Sequence, residues 1–126
     1  MGSLAVKRIY APPEPGDGTR ILVDRLWPRG IARDKARIDL WLKDIAPSDA
    51  LRKRFHAKPT HWDEFRAAYA AELAAAPAQA AVKELRALLR RGTVTLLYAA
   101  RDEERNNAVA LKAWLAQRKT RRGETR

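Results

Sequence analysis

The segment "RILVDRLWPRG", Arg20 to Gly30, decides the architecture. Ile21, Leu22 and Val23 follow one another without alternating polar residues, the pattern of a strand covered on both faces, and such strands belong to parallel sheets. The run ends in a turn that presents Asp24, Arg25, Trp27 and Arg29. A central strand that terminates in two arginines and a tryptophan is the feature to be explained.

Outward from that strand, "VKRIY" (6–10) is a short β-branched and aromatic run stopped by the Pro/Gly-rich loop "APPEPGDG". "IDLWLKDIAPS" (38–48) fits an extended segment or one helical turn, and periodicity does not choose between them. Three helices follow. Ser48 suits the N-cap of "DALRKRF", and Thr60 with Asp63 resembles a capping box for "HWDEFRAAYAAELAAA", where Trp62, Phe65, Tyr69 and Leu73 form one apolar stripe. Pro77 suits the first turn of the third, in which Val82, Leu85, Leu88 and Leu89 share a face and Gly92 supplies the stop.

"TVTLLYAA" (93–100) is the clearest strand in the chain, and "RDEERNNAVALKAWLAQRK" reads as a closing helix with Asp102 at its N-cap. Its apolar contacts are Val109, Leu111, Trp114 and Leu115. The order strand, strand, helices, strand, helix predicts an α/β fold: a single small domain whose mainly parallel sheet is packed with helices, since parallel strands need long crossovers. The chain has 126 residues, within the size of one domain with one core. Residues 1–117 form that domain; "RKTRRGETR" (118–126) is polar, aperiodic and expected to be a disordered tail.

Composition narrows the chemistry. There is no cysteine, which removes disulfides, thiolate catalysis and cysteine-ligated metals, and fits a reducing cytoplasm. No stretch approaches the roughly 18 apolar residues of a spanning helix, so neither membrane insertion nor secretion is expected. Lys and Arg outnumber Asp and Glu 26 to 15, a net charge of +11, of which +4 lies in 118–126. Such a balance fits an anionic partner, and equally a solvated basic surface in an Arg- and Ala-rich chain.

In open α/β sheets ligands bind beyond the carboxyl ends of the strands, near helix N-termini. Two strands here end in charged loops, "DRLWPRG" and "YAARDEERNNA". Parallel and adjacent, they would bring Arg25, Arg29 and Arg101 together with Asn106 at a helix start, an arrangement suited to phosphate or carboxylate. The competing reading makes Asp24 and Arg25 members of an internal ion pair, with Trp27 and Pro28 plugging the end of the sheet. If the site is catalytic, Asp24 or Asp102 is the candidate base and Tyr98 the candidate acid or hydrogen-bond donor.

"RILVDRLWPRG", "WLKDIAPSDALRKRFH", "WDEFRAAYAAEL" and "TVTLLYAARDEERNNAVALKAWL" together resemble the YeaO-like branch of domain-of-unknown-function family 488, found in bacteria. The resemblance runs from Val6 to Leu115 and implies a cytoplasmic protein without an established activity. It also implies that Tyr98 and the segment from Arg105 to Ala108 stand where other branches carry a cysteine and a Cys-His-Arg run. Asn106-Asn107-Ala108 stands where this branch usually has Asn-His-Ala, so the imidazole that could titrate there is absent.

Other chemistries find little support. His56 and His61 are the only histidines, too few for a metal site without clustered carboxylates, and they read as a helix C-terminal residue and a first-turn surface residue. Ser3 and Ser48 are the only serines, and no phosphate-binding glycine loop is present, so no cofactor is expected. The helix pair 48–56 and 60–76 is a poor DNA reader, because the second helix carries Asp63, Glu64 and Glu72 against Arg66. The alternative to the anion pocket is nonspecific, salt-dependent nucleic-acid binding through the tail and Lys83, Arg86, Arg90 and Arg91, or a DNA-associated regulatory role. A protein partner is neither supported nor opposed by the sequence, and oligomeric state is not legible in it.

Overall fold

A computed structural model describes residues 2–124, the side chains of 118–124 excepted. Four strands form one sheet in the order β1 (Leu4–Arg8), β4 (Val94–Tyr98), β2 (Thr19–Leu22), β3 (Leu40–Trp41), and every pairing is parallel. The expected strand at 6–10 thus begins two residues earlier and ends at Arg8, although Ile9 N still donates to Tyr98 O. The ambiguous segment 38–48 divides: β3 pairs with β2 for two residues, and a 3-10 turn over Lys43–Ile45 follows.

Both inner strands are covered on two faces, as the adjacent apolar residues Ile21–Val23 and Leu96–Leu97 require. On one face Ile21, Val23, Val94 and Leu96 pack beneath α2 (Asp49–Ala57), α3 (Trp62–Leu73), α4 (Ala78–Arg91) and α5 (Asn107–Glu124). The other face is thinner. Leu22 and Leu97 meet Ile9, the short helix α1 (Arg33–Ala36), and the indoles of Trp27 and Trp41, whose ring centroids lie 5.5 Å apart edge to face. The stripe expected on α3 is core: Phe65, Tyr69 and Leu73 are buried, and Trp62 packs at its margin.

Helix ends follow local chemistry, with two corrections. Ser48 caps α2 as expected, its Oγ accepting from Leu51 N at 3.2 Å, while Glu72 of α3 accepts from Ser48 Oγ and N at 2.6 and 2.8 Å. Ser48→Ala is therefore expected to cost about 1–2 kcal/mol, because it removes the cap and strands one oxygen of Glu72; urea denaturation measures this. Thr60 does not cap α3. The helix starts one residue later, with His61 at the N-cap, and Asp63 pairs with Arg66 at 2.6 Å instead of closing a capping box. Nor does Asp102 cap α5: the helix begins at Asn107, and Asn106 Oδ1 accepts from Val109 N at 2.9 Å.

At the opposite end of the sheet, Gly18 takes φ +65° directly against β4, where a Cβ would lie 2.2 Å from Thr93 O. Only glycine fits that position. The expectation of a disordered tail at 118–126 lies outside the residues whose side chains are described, while the backbone of α5 is helical to Glu124. Among the described residues no helix is long and apolar enough to cross a membrane.

Candidate functional site

The parallel register places the carboxyl ends of β2 and β4 side by side, Leu22 opposite Leu97, so the loops leaving them open on the same edge of the domain. There they enclose a cleft of about 660 Å³. Its cationic lining is Arg25 and Arg29 from the first loop, Arg101 and Arg105 from the second, and Arg52 from α2. Asp24, Asp102, Asn106 and Asn107 complete the polar side. Tyr98 is the exception among the expected site residues. It faces a separate groove with Val6, Arg8, Tyr10 and Glu103, and burial, then the nearby Glu103 carboxylate, pushes its phenol above the usual tyrosine range.

Asp24 is the knot of this edge. Its Oδ2 accepts from Ala99 N and its Oδ1 from Asn107 Nδ2, each at 3.0 Å, while its carbonyl accepts from Trp41 Nε1 at 2.7 Å. One residue thereby ties β2 to the end of β4, the start of α5 and β3. Burial raises its carboxyl above the ordinary aspartate value, against the opposing effects of Asn107, Ala99 N and Arg52. Asn107 also donates to Val23 O at 3.0 Å, so its amide clamps α5 to the end of β2.

The arginines divide by partner. Arg25 turns toward the chain entering α2, where Nε donates to Pro47 O at 3.2 Å and Nη2 to Ala46 O at 3.1 Å. It is not ion-paired with Asp24, and among the described residues the internal pair considered from the sequence does not form. Arg29 and Arg101 are exposed, and among the described residues their side chains have no hydrogen-bond or salt-bridge partner. Asn106 serves mainly as structure: besides capping α5 it donates from Nδ2 to Asp102 O at 2.9 Å. Asp102 Oδ1 accepts from Glu104 N and Arg105 N at 2.9 and 3.0 Å, and these amides hold its carboxyl below the usual range.

Trp27 seals the second face, with Nε1 donating to Ile31 O at 2.9 Å, and one edge reaches the cleft. Sequence reasoning missed Arg52, Phe55 and Arg105. A signal for the first two existed: Arg52, Phe55 and His56 stand three and four apart on α2, hence on one face. The Nε of Arg52 is buried without an acceptor among the described residues. His56 is exposed in the last turn of α2, at the mouth of the cleft, and His61 is the exposed N-cap of α3. Among the described residues no three His, Cys, Asp or Glu side chains are grouped to hold a metal ion.

The fold and site define a parallel α/β domain with an arginine-lined cleft at its strand ends. Comparison with known proteins gives its family: residues 3–126 match the family described as the inactive DUF488-N3 subclade, and the chain belongs to it. It is 43% identical over 113 residues to the uncharacterized protein YeaO of Escherichia coli K12, covering 90% of this chain and 96% of that one. It is 44% identical over 106 residues to the uncharacterized protein Rv3073c of Mycobacterium tuberculosis H37Rv, covering 84% and 87%. No solved structure matches.

Proposed function

We propose that the strand-end cleft binds a small anion, a phosphate or carboxylate, and holds it without chemical turnover. The observation that carries this reading is the pair Arg29 and Arg101, on loops leaving adjacent parallel strands, whose guanidinium groups are free of other bonds among the described residues and line one cleft. Guanidinium forks bind such oxyanions bidentately. Binding rather than catalysis is supported by the groups that would have to move protons. Both oxygens of Asp24 already accept hydrogen bonds, Asp102 braces its own loop, and Tyr98 faces another groove. The description of the family as inactive agrees.

The test is thermal and chemical denaturation of wild type and Arg29→Ala/Arg101→Ala with inorganic phosphate, pyrophosphate and acetate at physiological salt. Wild type at about 100 times the dissociation constant should gain roughly 2.7 kcal/mol, and the double variant should keep its stability without ligand and lose that gain. Equal gains in both proteins would overturn the reading. A second reading, nonspecific nucleic-acid binding, is favoured by Lys83, Arg90 and Arg91, all exposed on α4. It predicts affinity that falls steeply with salt and is untouched by the double variant.

A further inference from the structure

The cleft offers more than positive charge. Its volume of about 660 Å³ is far more than an inorganic oxyanion fills and lies within the range of about 300–1,000 Å³ of small-molecule sites. Much of its wall is apolar: Phe55, Pro47, Pro59, Pro28 and the edge of Trp27. Phe55 is half-buried and held rigidly from behind, stacked on Phe65 at a centroid distance of 4.6 Å and tilted against Trp62 at 5.6 Å. One turn away on the same face of α2 stands Arg52, whose Nη2 pairs with Asp49 Oδ1 at 3.4 Å while its buried Nε lacks an acceptor among the described residues. A cation and a fixed flat ring are thus presented together into one cavity.

Resting on the anion-binding reading, we infer that the ligand is an anion joined to a flat aromatic ring, the charged end held by Arg29, Arg52 and Arg101 and the ring laid against Phe55. A flat ring gains contact area on a rigid aromatic wall at little entropic cost, whereas a bare oxyanion leaves that wall wet. Arg52 stands beside the ring on α2, while Arg29 and Arg101 come from the loops that follow β2 and β4, so ring and charge can be satisfied in one cleft.

Isothermal titration at physiological salt with phenyl phosphate and inorganic phosphate tests this, using wild type, Phe55→Leu and Arg52→Met. Phe55→Leu keeps apolar bulk behind the wall while removing its flatness, and circular dichroism verifies that each variant is folded. The expected result is phenyl phosphate binding about tenfold tighter than phosphate to wild type, the preference collapsing in Phe55→Leu with phosphate affinity unchanged, and Arg52→Met weakening both ligands. Equal affinities in wild type, or a preference that survives Phe55→Leu, would overturn the ring inference and leave anion binding standing. If neither compound binds wild type, both readings fall.

Discussion

Arg20→Ala is expected to lower the unfolding free energy by about 3–5 kcal/mol, seen as a lower urea midpoint with an unchanged slope. Arg20 is 5% exposed and Asp17 8%, and they meet at 2.6 Å between Nη1 and Oδ2. The same guanidinium donates from Nε to Arg37 O at 3.0 Å and from Nη2 to Ala36 O at 2.7 Å, closing the end of α1 where Arg37 takes φ +48°. Truncation would leave the carbonyls of Ala36 and Arg37 without this donor and remove the shortest contact to Asp17 Oδ2, which keeps Glu14 N at 3.0 Å and Lys7 Nζ at 3.2 Å. Lys7, 3.2 Å from Asp17, would remain as countercharge, which is why the loss should stop short of complete unfolding. A loss below about 1 kcal/mol would mean that water replaces these bonds and the pair is ornamental.

Asp17 gives that network a pH signature. Burial alone would raise its carboxyl, but Glu14 N, Lys7 and Arg20 outweigh burial and lower it below the ordinary 3.8. A lowered folded value favours the native state above 3.8, and this contribution disappears as pH falls through the folded value.

Asp24→Ala should cost about 1–3 kcal/mol at pH 7, since it removes the acceptor of Ala99 N and one acceptor of Asn107; Arg52 loses one neighbouring charge but keeps its pair with Asp49 at 3.4 Å. Its pH dependence carries the opposite sign to that of Asp17. Burial raises the folded Asp24 above 3.8, so the native state binds its proton more tightly than the unfolded chain does. The contribution of Asp24 is therefore fullest below 3.8 and declines as pH rises through the folded value. Denaturation from pH 3 to 7 should show the deficit of Asp24→Ala growing toward acid, while that of Asp17→Asn shrinks. Parallel profiles for the two variants would refute the opposite signs assigned to these two carboxylates.

Much of this design was written in short-range pattern. The contiguous apolar residues of Ile21–Val23, and the run Val94–Leu97 broken only by Thr95, demanded a sheet covered twice, and Ser48 had the chemistry of a cap whatever packed on it. The strand-end rule placed Arg25, Arg29 and Arg101 at one edge. What pattern could not divide was the labour among them. Arg25 and Arg29 stand four apart in one turn, yet one is bound to carbonyls more than twenty residues away and the other is free, a difference fixed by where the entry to α2 runs. Asn107 read as a lost imidazole, and only the approach of α5 to β2 shows it to be a clamp.

By itself, then, the sequence determined the parallel α/β architecture, the absence of thiol chemistry, and the edge of the sheet where charge would gather, because these depend on residue type and on periods of two to four residues. Tertiary structure decided that Tyr98 lines a groove apart from the cleft of Arg25, Arg29 and Arg101, that Asp24 braces three elements, and that Phe55 and Arg52 line the cleft. These depend on contacts between segments distant in the chain, whose geometry is set by how the helical layer closes over the sheet.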